Sequence, residues 1–201
     1  MGVPQKAVAW ITPEEYLALE EKASAKHEYL DGVVYSWQGH VPESMAGGSR
    51  AHNRIIGNIY VALRPQLRGG PCAIYMTDVR LHVRARNAYF YPDIAITCSA
   101  ADQSKDPADD AVFREPSLII EVLSDSTERF DRGEKFETYK KIPTLSEYLL
   151  ISSRGPMIEL FRRQNSGEWT VSEYQKGIVQ LQSVHIALDI AAVYEELGLT
   201  G

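Results

Sequence analysis

Glu121 stands inside Leu118-Ile119-Ile120-Glu121-Val122-Leu123, a run apolar on both faces, as expected of a strand covered on two sides. An isolated carboxylate is costly in such surroundings, so Glu121 must be paired, protonated or bound to a cation. Asp93 supplies a possible companion. It follows Pro92 in Tyr91-Pro92-Asp93-Ile94-Ala95-Ile96, where the proline marks a strand start, an edge or a bulge. Two such acids on neighbouring strands suit a hard divalent cation, Mg²⁺ or Mn²⁺, that prefers oxygen ligands and keeps several waters. The backbone carbonyl of Val122 is a candidate third ligand, leaving room for water and a phosphate oxygen. A cation there lowers the pKa of bound water and stabilises charge on a reacting phosphoester. A nearby lysine would orient the water or neutralise the phosphate. The competing reading of Glu121 is a purely structural ion pair.

The elements that must position these acids are legible in outline. Thr12-Pro13-Glu14-Glu15 reads as a capped helix start, with the helix running to about Ser24. In HEYLDGVVYSW, Asp31-Gly32 between two β-type runs predicts a tight hairpin. Residues 42–49 read as a glycine-containing loop. Ile55, Ile59, Ala62 and Leu63 then recur at helical spacing between Ser49 and about Leu67. Short β-type runs follow from Ala73 to Val83, from Tyr89 to Thr97 and from Ser117 to Leu123. Ser124 to Thr127 caps a third helix reaching about Ile142. Further β-type runs lie at 147–151, 157–161, 168–174 and 179–184, and Asp189 opens a short terminal helix. The pattern implies one α/β (α+β) domain over residues 1–201, a mixed β-sheet flanked by helices.

Composition narrows the function classes. The chain has 201 residues, a formal net charge of −6 and no apolar run near the roughly 18 residues that span a bilayer. Its opening residues lack the pattern of a secretory signal, and Lys6 replaces the Ser or Thr of a myristoylation site. A soluble, cytoplasmic protein without a membrane partner is expected. Cys72 and Cys98 show no metal-type spacing and are expected to be small, unbonded core residues in a reducing compartment. A pI near 5.4 argues against a sequence-independent nucleic-acid coat. It leaves a nucleic-acid enzyme open, because a bound cation reverses the field of its carboxylates. No zinc spacing, phosphate-binding glycine loop or Gly-x-Ser-x-Gly elbow occurs.

Pro92-Asp93 and Glu121-Val122-Leu123 resemble the PD-(D/E)xK nuclease superfamily, whose lysine stands two residues after the second acid. Here that position is Leu123. The longer stretch IIEVLSDSTERFDRGEKFETYKK, followed by PTLSEYLLIS, resembles the Uma2 family of restriction-type endonucleases, as do HEYLDGVVY and AHNRIIGNIYVAL. The resemblance covers about residues 12–197 and implies a restriction-endonuclease-like fold. It implies that the lysine has moved onto the following helix, as Lys135, with Lys140 and Lys141 as substitutes. Asp131, Lys135 and Tyr139 repeat every four residues and share one helical stripe. The alternative for that stripe is a solvated face with an Asp131–Lys135 pair, and Tyr139 is expected to pack rather than react. By the same resemblance Glu28 is the further acid near the metal, against an exposed acid before a hairpin.

His52 could reach a phosphate, but a capped helix terminus is the favoured reading. Asp78 is expected to form a turn. Arg50, Arg54, Arg64 and Arg68 could face phosphates, and Asp102, Asp106, Asp109 and Asp110 read as a solvated loop. The reading that unites these residues is a metal-dependent DNA endonuclease, with Asp93 and Glu121 on the metal and Lys135 and Glu28 assisting. Cutting both strands of a duplex calls for two active sites, hence a homodimer or higher symmetric assembly. The alternatives are an inactive, oligomeric interaction or nucleic-acid-binding module of the same fold, or a hydrolase of a smaller phosphoester.

Overall fold

The structure is a computed structural model that describes residues 5–7, 10–36, 49–104 and 112–198. Residues 42–48 of the expected loop, and Asp106, Asp109 and Asp110, lie outside the described residues. Thr12 and Glu15 exchange side-chain-to-backbone hydrogen bonds as a capping box and open α1 (Pro13–Glu20), a turn shorter than expected. The predicted hairpin is β2 (His27–Leu30) and β3 (Val33–Ser36). Asp31 (φ 47°) and Gly32 (φ 91°) both take the left-handed backbone that a two-residue turn requires. Ser49 caps α2 (Arg50–Leu67), the long amphipathic helix.

The strands form two mixed six-stranded sheets and a two-stranded ribbon, in keeping with the mixed α+β fold expected. β1 (Gln5–Ala7), β2, β3, β5 (Arg80–Val83), β6 (Ala88–Phe90) and β8 (Val112–Phe113) form one sheet in the order β1-β3-β2-β6-β5-β8. The second contains β4 (Ala73–Met76), β7 (Ile94–Thr97), β9 (Pro116–Leu123), β10 (Glu147–Ser152), β11 (Ile158–Arg163) and β12 (Trp169–Tyr174), in the order β12-β11-β10-β9-β7-β4. Within it β9 and β10 are parallel, and β7 runs antiparallel to β9. β13 (Ile178–Leu181) pairs with β14 (Ile186–Asp189), and Asp189 caps α5 (Ile190–Val193).

Side-chain alternation along β9 explains the layering. Leu118, Ile120 and Val122 enter an aliphatic core with Ile55, Ile59 and Leu63 of α2 and with the β13–β14 ribbon. Ile119 and Leu123 enter an aromatic-rich core that also holds Leu30, Phe90, Phe136, Tyr139 and Tyr148. This second core lies between the two sheets, and Glu121 points into it by the same alternation. The helical stretch after β9 runs through α3 (Glu128–Phe130), a π turn (Asp131–Lys135) and α4 (Phe136–Tyr139). It is shorter than the expected Ser124–Ile142.

The cysteines correct an expectation: Cys72 and Cys98 form a disulfide. The antiparallel register that pairs Ala73 with Thr97 extends by one residue to bring them face to face, with Cα atoms 4.0 Å apart. Their spacing along the chain gave no hint of this, because the pairing of β4 with β7 creates the contact. Among the described residues no helix is long and apolar enough to cross a membrane.

Candidate active site

Asp93 immediately precedes β7, and Glu121 lies in β9. The register that pairs Ile94 with Ile120 and Ala95 with Ile119 carries on to set the two acids opposite each other. The contact is reciprocal. The N–H of Asp93 donates to Glu121 Oε2 (3.2 Å), and the N–H of Val122 donates to Asp93 Oδ2 (2.7 Å). Val122, whose carbonyl was the expected ligand, thus uses its N–H to hold Asp93.

Lys135 reaches the same point from the π turn. Its Nζ lies 2.9 Å from Glu121 Oε1, 3.0 Å from Glu28 Oε1 and 3.5 Å from Asp131 Oδ1. The side chain is only 5% exposed, so the solvated-face alternative for this stripe does not hold. In a regular α-helix each four-residue step overshoots a full turn by about 40°. The wider π turn takes back part of that drift, so Asp131, Lys135 and Tyr139 all face the sheet. Tyr139 does more than pack: its buried hydroxyl donates to Glu121 Oε1 (3.0 Å). The Tyr148 hydroxyl donates to the Asp131 carbonyl (3.0 Å) and ties the π turn to β10.

Glu28 arrives from the other sheet. Alternation along β2 sends it to the same side as Leu30, into the aromatic-rich core, and its 3% exposure excludes the exposed-acid alternative. Its Oε1 accepts weakly from the N–H of Tyr91 (3.4 Å) as well as from Lys135. Its Oε2 is buried with no hydrogen-bond partner among the described residues. His52, in the first turn of α2, places Nε2 3.2 Å from Asp93 Oδ2, while its N–H donates to Ser49 Oγ (3.1 Å). The capped terminus is therefore real, and the ring faces the cluster as well. A cavity of about 360 Å³ is lined by Glu28, His52, Asp93, Glu121, Asp131 and Lys135, among others.

The electrostatics follow from four acids meeting few cations. Burial raises the Glu121 pKa well above the carboxylate range; Lys135 opposes this, and the charges of Asp131 and Asp93 reinforce it. Burial likewise pushes Asp131 up to about 6, although Lys135 again pulls it down. For Lys135, burial favours the neutral amine, but Glu121, Glu28 and Asp131 outweigh it and hold the pKa well above the ordinary lysine value. Lys135 is therefore an ammonium, a donor and a charge, not a base. Burial also disfavours a charged His52, yet its hydrogen bond to Asp93 and that carboxylate's charge leave its pKa raised.

Asp102 accepts the N–H groups of Arg114 and Glu115 (both 2.8 Å), Arg54 pairs with Glu196, and Asp78 pairs with Lys26.

The profile of a family described as "Putative restriction endonuclease", Uma2, matches residues 13–192, a span that contains the whole cluster. The chain belongs to the Uma2 family. It is similar to two proteins of Synechocystis, each called uncharacterized. One is 34% identical over 94% of this chain and 93% of its own length. The other is 35% identical over 81% of this chain and 86% of its own length. A crystal structure from Anabaena variabilis, described as a "putative nuclease belonging to DUF820", superposes with a TM-score of 0.64 at 19% identity, covering 92% of this chain and 97% of that one. The Uma2 chain thus has a restriction-endonuclease-like fold.

The donor set of this Uma2 chain fits a hard divalent cation. Two carboxylates stand side by side, and among the described residues neither Asp93 Oδ1 nor Glu28 Oε2 accepts a hydrogen bond. Among the described residues no group of three or more His, Cys, Asp or Glu could enclose a metal by itself. Such a partial shell suits Mg²⁺ or Mn²⁺, which retain water and take oxygens from substrate.

Proposed function

We propose that this Uma2 protein is a metal-dependent endonuclease that hydrolyses DNA phosphodiester bonds. The observation that carries the reading is the convergence of Asp93, Glu121, Glu28 and Lys135 from two sheets and a helix onto one cavity. Asp93 and Glu121 would hold Mg²⁺ or Mn²⁺, with the Val122 carbonyl as a candidate third ligand. When bound, the cation supplies a more acidic water and charge neutralisation at phosphate.

The chain's own groups divide the remaining work. The Lys135 ammonium orients water or the scissile phosphate and screens the acids from one another. Glu28 Oε2 is a buried acceptor with spare capacity, suited to take a hydrogen bond or a proton from the attacking water. Tyr139 holds Glu121 at Oε1 and leaves Oε2 toward Asp93. Duplex cleavage would use two copies in a symmetric homodimer or higher assembly.

Calorimetric titration with Mg²⁺ and Mn²⁺ tests the metal, using wild type, Asp93→Ala and Glu121→Ala. Plasmid nicking set against nucleotide hydrolysis tests the substrate. Binding and nicking by wild type, lost in both variants, is expected. A wild type that binds metal no better than the variants overturns the reading, and hydrolysis of nucleotides without nicking moves it to a smaller phosphoester.

A further inference from the structure

Asp93 presents its two oxygens unequally. Oδ2 accepts from the N–H of Val122 (2.7 Å) and lies 3.2 Å from His52 Nε2, whereas Oδ1 accepts from no described residue. Both partners stand on rigid supports. Val122 is a buried residue of the central strand β9, and His52 sits in the capped first turn of a helix whose Ile55, Ile56 and Ile59 are buried in the aliphatic core. The ring itself is only 16% exposed and lines the cavity.

We infer that His52 is a positioning residue that, together with the Val122 N–H, anchors Asp93 Oδ2 and thereby aims Oδ1 at the metal. This rests on the metal reading above and adds to it a residue outside the PD-(D/E)xK motif. A carboxylate on the short Asp side chain rotates freely about its last bond unless donors fix it. The Val122 N–H holds Oδ2 from β9, and a ring N–H of His52, with Nε2 3.2 Å away, would hold it from α2 and close that rotation. Donors that orient a ligating carboxylate typically change metal affinity about 10–100-fold when removed. His52 never touches the ion in this scheme, so it alters affinity by changing how Asp93 is held.

Calorimetric titration of Mn²⁺ into wild type, His52→Ala and His52→Gln, with metal-free melting of each, tests the inference. The Gln side chain can set an amide N–H near the position of Nε2 and so keep the bond without a ring. His52→Ala is expected to weaken Mn²⁺ binding about tenfold or more, with His52→Gln recovering most of the loss at an unchanged metal-free melting temperature. Alanine binding Mn²⁺ as tightly as wild type overturns the inference. Tighter binding by alanine also overturns it and makes the ring a competitor of the ion. If alanine unfolds the chain, glutamine decides: retained binding supports the role, and binding lost from a folded protein refutes it. A wild type that binds no Mn²⁺ is the separate result that removes the metal reading and this inference with it.

Discussion

Glu121 and Glu147 are both buried glutamates in adjacent parallel strands, yet they are different kinds of group. Glu147, at the start of β10, alternates onto the aliphatic face beside Leu149 and Ile151. Both of its oxygens are satisfied: Arg162 Nε and the N–H of Gln182 donate to Oε1 (2.8 and 3.1 Å), and the N–H and hydroxyl of Ser183 donate to Oε2 (3.0 and 2.6 Å). Glu121 alternates onto the opposite face, opens on a cavity and shares one buried lysine with two further acids. Burial alone therefore does not mark a candidate metal-binding carboxylate. The mark is a deficit of positive charge around it, one lysine among several acids, which a cation can offset.

The contrast yields predictions of decreasing size. Glu121→Gln should remove metal binding and lower plasmid nicking by orders of magnitude with little loss of thermal stability, since one of several crowded charges disappears. Nicking that survives this change would erase the distinction between the two glutamates. Glu147→Ala should leave Mn²⁺ affinity unchanged but destabilise the fold by about 3–5 kcal/mol in urea unfolding, because Arg162 and two backbone donors lose their acceptor. Breaking the Cys72–Cys98 disulfide with Cys72→Ser should cost roughly 3 kcal/mol, as expected for a 26-residue separation. Metal affinity should not change, because the bond lies at the end of β7 remote from Asp93.

The last effect is a slope with pH. Asp131 has its pKa raised from 3.8 to about 6 in the folded protein, so between these values the folded state binds more protons than the unfolded chain. Its contribution to stability must then fall as pH rises from about 4 to about 6. Measured against Asp131→Asn without metal, wild type should lose relative stability across that window. Added Mn²⁺ should reduce the loss, and a difference that does not vary with pH would contradict the crowding.

Much of the architecture could be read without coordinates. The capping box at Thr12, the Asp31-Gly32 hairpin and the Ser49–Leu67 helix depend on neighbours within a few residues. Glu121 was conspicuous because its own strand is apolar, and Pro92-Asp93 because proline punctuates strands. Lys135 and Glu28 emerged only through the resemblance, as nothing local separates them from surface charges. His52 and the hydroxyl of Tyr139 were missed as partners of the acids. The helical stripe shared by Tyr139, Lys135 and Asp131 was a usable signal, while a histidine at a capped helix start gave no direction for its ring. The cysteines misled because both runs look like ordinary core strands.

What the chain determined by itself was whatever rests on short-range sterics and patterning: caps, turns, helix faces, and the unease of an acid among aliphatics. Only the tertiary structure decided that β7 lies beside β9 in the register that opposes Asp93 to Glu121, that two sheets enclose one polar cluster, and that two cysteines meet. Those outcomes depend on which strands pair and how sheets stack, a choice made by the free energy of the whole core rather than by any stretch of neighbouring residues.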